Sequence, residues 1–152
     1  MADRITAVLD GDVYGKTLAV LGLTFKPNTD DMRDSPSLSI LPVLREAGAT
    51  VRAFDPEGMT EAKKLMPDLE YCGDAYAAME GADALILITE WNEFRGLDLD
   101  RVKTLLRRPV VIDLRNIYKP DEMITAGLAY HSIGRPASEP PEEWSAGLRV
   151  VG

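Results

Sequence analysis

Thr17-Leu18-Ala19-Val20-Leu21-Gly22-Leu23-Thr24-Phe25-Lys26-Pro27-Asn28-Thr29-Asp30-Asp31-Met32-Arg33-Asp34-Ser35-Pro36-Ser37 decides the reading of the chain. The run Thr17–Leu21 reads as a buried strand. The residues that follow Ser37, Leu38-Ser39-Ile40-Leu41-Pro42-Val43-Leu44, read as a helix. Between them lies a loop that carries one Lys, one Arg and three Asp in the nine residues 26–34, more charge than a plain connection needs. Strand, charged loop, helix is the unit of an open parallel sheet. Such loops lie at the carboxyl edge of the strands, where ligands bind.

Outward from that unit, strands and helices alternate. Ile5, Val8 and Leu9 lie at helical spacing, and Gly11 is a plausible C-cap, so the chain opens on a short helix ending at Asp10. That stripe is marginal alone and reads as the tail of a longer helix. Strands are expected at Lys16–Gly22, Thr50–Phe54, Leu69–Cys72, Ala84–Ile88, Val110–Asp113 and Leu128–Ile133. Helices are expected at Ser37–Ala47, Met59–Met66, Asp74–Glu80, Leu99–Leu106 and Pro120–Ala126, with a turn or short helix at Trp91–Arg95. Ser35 or Ser37 is the expected N-cap of the first full helix, with Pro36 in its first turn and Gly48 at its close. Pro42 inside that helix predicts one lost hydrogen bond and a mild kink. The wholly apolar Ala84–Ile88 reads as a central strand. Alternation of this kind predicts one doubly wound α/β domain of five or six mostly parallel strands, with helices on both faces and right-handed crossovers. The Pro- and Glu-rich stretch 135–143 reads as a loose tail. Trp144, Leu148, Val150 and Val151 beyond it are apolar enough to dock.

The totals agree with one domain. A chain of 152 residues, 45% apolar and 28% charged, is ordinary for a globular protein. At this size roughly 68–70% of the unfolded surface can be buried. The formal net charge of −8 argues against nucleic acid or an anionic membrane as main partner. An anionic ligand must then be held by a local basic cluster. The lone cysteine, Cys72, excludes an intrachain disulfide and fits a reducing compartment, so a cytoplasmic protein is expected. The first ten residues lack a signal-peptide pattern. No run of about 18 apolar residues offers a membrane span.

Three basic residues stand at strand ends. Lys26 is a point charge suited to a phosphate or a carboxylate, or a solvated surface lysine. Arg33, flanked by Asp30, Asp31 and Asp34, is either a ligand group or part of a loop-stiffening ion-pair cluster. Arg115 follows Val110–Asp113, and its planar fork suits phosphate or uracil carbonyls; the plain alternative is surface charge. Lys26 and Arg115 converge only if their strands lie near each other. Trp91 and Phe94 more often cover a core edge than stack on a base. Cys72 has no His near it in sequence and reads as structural. His131 reads as core or edge, not catalytic. No Cys/His pattern suggests zinc. Gly11-Asp12-Val13-Tyr14-Gly15 precedes the first strand and so cannot be a dinucleotide fingerprint.

The stretch GLTFKPNTDDMRDSPS resembles the signature that opens the C-terminal, UDP-sugar-binding domain of the UDP-glucose 6-dehydrogenase family (the UDP-glucose–GDP-mannose dehydrogenases), and the resemblance runs from about Gly15 to about Pro136. It implies a Rossmann-like three-layer domain at 15–136, with 1–14 as the end of a linker helix and 137–152 as a tail. It implies that Lys26 and Arg115 contact the UDP-sugar substrate and that Arg33 reaches NAD bound in another domain. Thr89-Glu90-Trp91…Phe94 matches a motif of the UDP-glucose branch and so favours that branch over relatives acting on GDP-mannose or N-acetylated sugars. The family oxidises C6 of UDP-glucose twice with two NAD, through a Cys-linked thioester, to UDP-glucuronate for polysaccharide biosynthesis. The resemblance implies a homo-oligomeric full-length enzyme with an N-terminal NAD-binding domain, a central helix and a Gly-rich catalytic Cys segment. None of these is in this sequence, so the isolated chain is expected to be inactive. A free-standing nucleotide-binding module is the alternative from another class.

Overall fold

The computed structural model describes residues 1–134 and 136–140. Six strands form one sheet: β1 (Thr17–Leu21), β2 (Thr50–Phe54), β3 (Glu70–Tyr71), β4 (Ala84–Leu87), β5 (Val110–Asp113) and β6 (Ala129–Ser132). All five pairings are parallel, in the order β3-β2-β1-β4-β5-β6. The helices are α1 (Ala2–Val8), α2 (Ser37–Glu46), α3 (Met59–Leu65), α4 (Ala75–Met79), α5 (Asn92–Arg95), α6 (Leu99–Leu105) and α7 (Pro120–Thr125). Among the described residues the sheet is doubly wound, as expected, with six strands all parallel to their neighbours.

The two-residue period of the strands divides the core. Leu18, Val20, Val51, Ala53, Ile86 and Ile112 face one way, onto Ile5, Leu41, Leu44 and Ala62 of α1, α2 and α3. Ala19, Leu21, Leu85, Leu87 and Val111 face the other, onto Ala78, Phe94, Val102 and Met123 of the remaining helices. Because both faces are covered, every residue of β4 and β5 is buried. Burying a side chain such as Leu21 or Ile86 contributes roughly 1.5–3 kcal/mol. Arg4 donates to the Ser132 carbonyl, which ties α1 to the end of β6. Ser138 exchanges two backbone hydrogen bonds with Tyr130, of 2.7 and 2.9 Å, and so covers part of the free edge of β6. The apolar residues from Trp144 to Val151, considered for docking above, lie outside the described residues.

Two caps differ from the sequence reading. The N-cap of α2 is Pro36, which offers no side-chain cap, although the Ser35 hydroxyl oxygen accepts the Ser37 N–H at 3.3 Å. The hydroxyls of Ser35 and Ser37 turn inward and both donate to the Leu23 carbonyl, at 2.5 and 2.7 Å. A buried carbonyl needs a partner more than a half-exposed helix start does. At the end of α1 the residue after the Leu9 C-cap is Asp10, with φ +68°, and the Gly11 N–H reaches back to Thr6 O. Asp tolerates the left-handed region, so Gly is not required there. By contrast α2 ends as expected: Gly48 has φ +100°, and the Gly48 and Ala49 N–H groups close onto Arg45 and Leu44. The helix runs through Pro42, whose ring is exposed.

The strand order reverses between β1 and β4, and there the chain packs closely. Gly22 ends β1 with φ +92°, and a Cβ placed on it would sit 2.5 Å from both the Cβ and the backbone N of Thr89. A side chain at Gly22 therefore meets backbone as well as strain. We expect Gly22→Ala to cost at least about 2 kcal/mol, from the φ penalty and the overpacking together. The melting temperature should fall by roughly 5 °C or more. An unchanged melting temperature would show that β1 and the β4 loop do not approach this closely.

Candidate functional site

The reversal of strand order makes a crevice at the carboxyl edge, between the loop after β1 and the loop after β4. Buried polar groups fix both walls. The Asp55 carboxylate, fully buried at the end of β2, accepts Leu23 N–H at 2.7 Å and Thr24 N–H at 3.2 Å. Its other oxygen accepts Glu57 N–H and Gly58 N–H, at 3.0 and 2.7 Å. Thr24, also fully buried, joins the two sides. Its carbonyl accepts the Thr89 hydroxyl at 2.7 Å, and its own hydroxyl donates to the Lys26 carbonyl at 3.0 Å. The loop that carries Lys26 is thus bolted to β2 on one side and to the β4 loop on the other.

Beyond Lys26 the loop folds on itself. Phe25 N–H bonds Asp31 O at 2.9 Å. Asn28 and Asp34 take left-handed φ values of +64° and +57°, which Asn and Asp accept best among residues with a Cβ. Asp31 receives the Arg33 fork: Nε on one oxygen and Nη2 on the other, each at 3.0 Å, with the Arg33 N–H at 2.9 Å. This hydrogen bonding, helped by the nearby Lys26 charge, holds the Asp31 carboxyl at about 2. The Arg33 side chain is 87% exposed. It is oriented, as its acidic neighbours allowed, and it faces solvent.

Arg115 is anchored from the other side. Fully buried Asp113, the last residue of β5, accepts Arg115 N–H at 3.0 Å through one oxygen. Through the other it accepts Ile117 N–H, Tyr118 N–H and the Tyr130 hydroxyl, at 2.7, 3.1 and 2.6 Å. The Arg115 guanidinium donates through Nη2 to Glu90 Oε1 at 3.1 Å. Glu90 stands on the β4 loop, so the Arg115 head is drawn toward the switch point. Lys26 and Arg115 leave the sheet from β1 and β5, the two strands that flank β4. Their contacts are separate: Lys26 lies in the field of Asp31, and Arg115 on Glu90.

Two hollows open beside the loop after β1, and both include carboxylates. A cleft of about 490 Å³ is lined by Asn28, Thr29, Asp30, Glu57 and Trp91. A second hollow of about 660 Å³, on the α2–α3 side, is lined by residues 29–33 with Leu38, Glu61 and Leu65. Glu93 on α5 feels both burial and the Asp55 charge, which push its carboxyl above the ordinary value. Basic groups and acidic lining therefore sit side by side.

The remaining sequence candidates fall where the plain readings put them. Phe94 is fully buried and meets Phe54 edge-on at 6.4 Å. Trp91 is buried, with its indole N–H unpartnered, and one side lines the cleft. Cys72 is half-buried at the end of edge strand β3, against the second core. His131 lies within β6, where burial lowers its pKa. Among the described residues no group of His, Cys, Asp and Glu can hold a metal ion, and no helix is long and apolar enough to cross a membrane. Asp55, Thr24 and Asp113 were not picked out in the sequence, although the first and last share one signal. Each is an Asp that closes a strand and is followed by a tight turn, the setting in which a carboxylate collects backbone N–H groups.

Comparison with known proteins fits this geometry. Residues 19–120 match the model of the UDP-glucose/GDP-mannose dehydrogenase family, UDP binding domain. A UDP-glucose 6-dehydrogenase from Rhizobium meliloti (strain 1021) is 54% identical over 136 residues, 90% of this chain and 31% of that protein. The UDP-glucose 6-dehydrogenase TuaD of Bacillus subtilis (strain 168) is 47% identical over 152 residues, 97% of this chain and 33% of that one. Among solved structures, an NDP-N-acetyl-D-galactosaminuronic acid dehydrogenase from Methanosarcina mazei Go1 superposes with a TM-score of 0.73 at 29% identity, over 87% of this chain and 27% of that one. A UDP-glucose dehydrogenase from Pyrobaculum islandicum gives 0.63 at 34% identity, over 74% and 24%. The chain spans about a third of the length of the curated relatives it matches. A family match over most of the sheet, at this level of identity, means that the chain belongs to the UDP-glucose/GDP-mannose dehydrogenase family and represents its UDP-binding domain.

Proposed function

We propose that the chain supplies the UDP-sugar half of an NAD-dependent UDP-glucose 6-dehydrogenase, with residues 15–136 as the binding domain, 1–14 as the end of a linker helix and 137–152 as a tail. The observation that carries this reading is Arg115. Its backbone is fixed by Asp113, and its guanidinium is turned toward the switch point by Glu90. Lys26, on the loop bolted by Thr24, is the second group for the diphosphate. In an acidic chain these two must act locally, since the field of the whole molecule repels an anion. The acidic lining of the cleft near Asp30 and Glu57 suits hydroxyl groups better than phosphates. UDP-glucose is favoured over GDP-mannose and N-acetylated sugars because the relatives of 40–54% identity are UDP-glucose 6-dehydrogenases.

Arg33 would meet NAD from outside this domain. An exposed fork held by one carboxylate fits a phosphate or ribose brought by another domain. NAD, when bound, supplies the hydride acceptor. Cys72 is no substitute for a catalytic thiol, since among the described residues the one hydrogen-bond partner of its Sγ is the Glu70 carbonyl, at 4.0 Å. Turnover of UDP-glucose by the chain alone is therefore not expected. NAD reduction that is lost in Cys72→Ser would contradict this.

Titration with UDP and UDP-glucose tests the roles. We expect weak affinity, on the order of 0.1 mM to several mM. A charge-assisted contact is worth about 1.5–3 kcal/mol. Lys26→Ala and Arg115→Ala should thus each weaken binding about tenfold or more, while Arg33→Ala should change it little. Equal weakening by all three, or binding indifferent to Lys26 and Arg115, would defeat the assignment.

The orientation of Arg33 is tested by acid titration followed by carboxyl NMR. Asp31 should titrate at about 2, and Arg33→Ala should return it toward the ordinary 3.8. The sign follows from the lowered value: the pair stabilises the fold above the unfolded-state pKa, and that contribution is lost as pH falls toward 2. Because the pair is exposed, added salt should shrink the shift. An ordinary midpoint in the native chain would mean that the Arg33 fork is not held.

A further inference from the structure

The Glu90 carboxylate lies between two guanidinium groups. Oε1 accepts Arg115 Nη2 at 3.1 Å, and Oε2 is 3.8 Å from Arg95 Nη2. Arg95 is itself turned inward, with Nη1 donating to the Ile117 carbonyl at 3.4 Å. Ile117 belongs to the loop that Asp113 organises around Arg115. The Arg115 side chain is 33% exposed and that of Glu90 is 36% exposed, so neither swings freely in water and neither is sealed off. Of the five N–H groups on Arg115, Glu90 engages one. Among the described residues no other side chain pairs with that guanidinium.

We propose that Glu90 is a positioning residue: it fixes the direction of the Arg115 guanidinium, with Arg95 holding Glu90 in turn, so that the nucleotide meets a preset fork. This rests on the reading that Arg115 contacts the nucleotide. A fork held in place loses less side-chain freedom on binding than one that must be ordered by the ligand. Charge alone argues the opposite way. A carboxylate near a bound diphosphate repels it, so a Glu90 without a positioning role would only weaken binding. The two effects have different signs in different variants, and that separates them. Glu90→Gln keeps an acceptor for Arg115 Nη2 and removes the charge. Glu90→Ala removes both.

The test is UDP titration of the 152-residue chain at low salt, with native, Glu90→Gln, Glu90→Ala, Arg115→Ala and the Glu90→Ala/Arg115→Ala pair. Glu90→Gln should bind UDP at least as tightly as native. Glu90→Ala should bind more weakly than Glu90→Gln, by roughly two- to fivefold, the range set by half-exposed ion pairs. In the Arg115→Ala background, Glu90→Ala should cause no further loss, because the group it aims is gone. Equal binding by the Ala and Gln variants would overturn the positioning role while leaving Arg115→Ala impaired. Indifference to Arg115→Ala would instead remove the nucleotide reading on which the role stands.

Discussion

The Asp55 carboxylate is the constraint on which the edge of the sheet depends. It is fully buried, and taking a carboxylate out of water costs several kcal/mol. Four backbone N–H groups, from Leu23, Thr24, Glu57 and Gly58, offset that cost. Those four donors belong to two different loops, so one side chain sets the exits of both β1 and β2. Leu23 is then held at both ends of its peptide unit, its N–H by Asp55 and its carbonyl by Ser35 and Ser37. The charged residues between those pins have a rigid frame, although their own side chains are exposed. Gly22 belongs to the same constraint, since only a missing Cβ lets Thr89 close on the Thr24 carbonyl.

A second buried carboxylate repeats the device three strands away. Asp113 gathers the loop after β5, and Arg115 is the residue that this loop presents. Between the two devices stands β4, whose loop contributes Thr89 to one and Glu90 to the other. Adjacent residues thus link the frame of Lys26 to the head of Arg115. An acidic chain can in this way offer cationic groups to an anion without a basic surface. Arg115 is held by Asp113 and Glu90 within a chain whose net charge is −8.

Much of this was legible in the sequence, for identifiable reasons. Buried parallel strands such as Ala84–Leu87 announce themselves as apolar runs, and α4 and α6 start within a residue of their expected bounds, capped by Asp74 and Asp98. The Ser-Pro-Ser segment misled because local capping rules see only the following helix. The carbonyl that claims both hydroxyls, Leu23, lies 12 and 14 residues earlier. Glu90 and Arg115 are 25 residues apart, and nothing in either stretch names the other. Lys26, Arg33 and Arg115 were visible by their charge at strand ends. Glu90, which meets the Arg115 head, was not, because that contact depends on the sheet order, and the order β1-β4-β5 is fixed only when the chain reverses direction across the sheet.

The most direct test of the frame is amide hydrogen exchange at Leu23 and Thr24. Both lie beyond the end of β1 and donate to a carboxylate instead of a strand carbonyl. If Asp55 fixes the edge, these two amides should exchange as slowly as those of Val20 and Leu21 within the strand. They should lose that protection in Asp55→Ala while the amides of β5 keep theirs. Rapid exchange at Leu23 and Thr24 in the native chain would contradict the account.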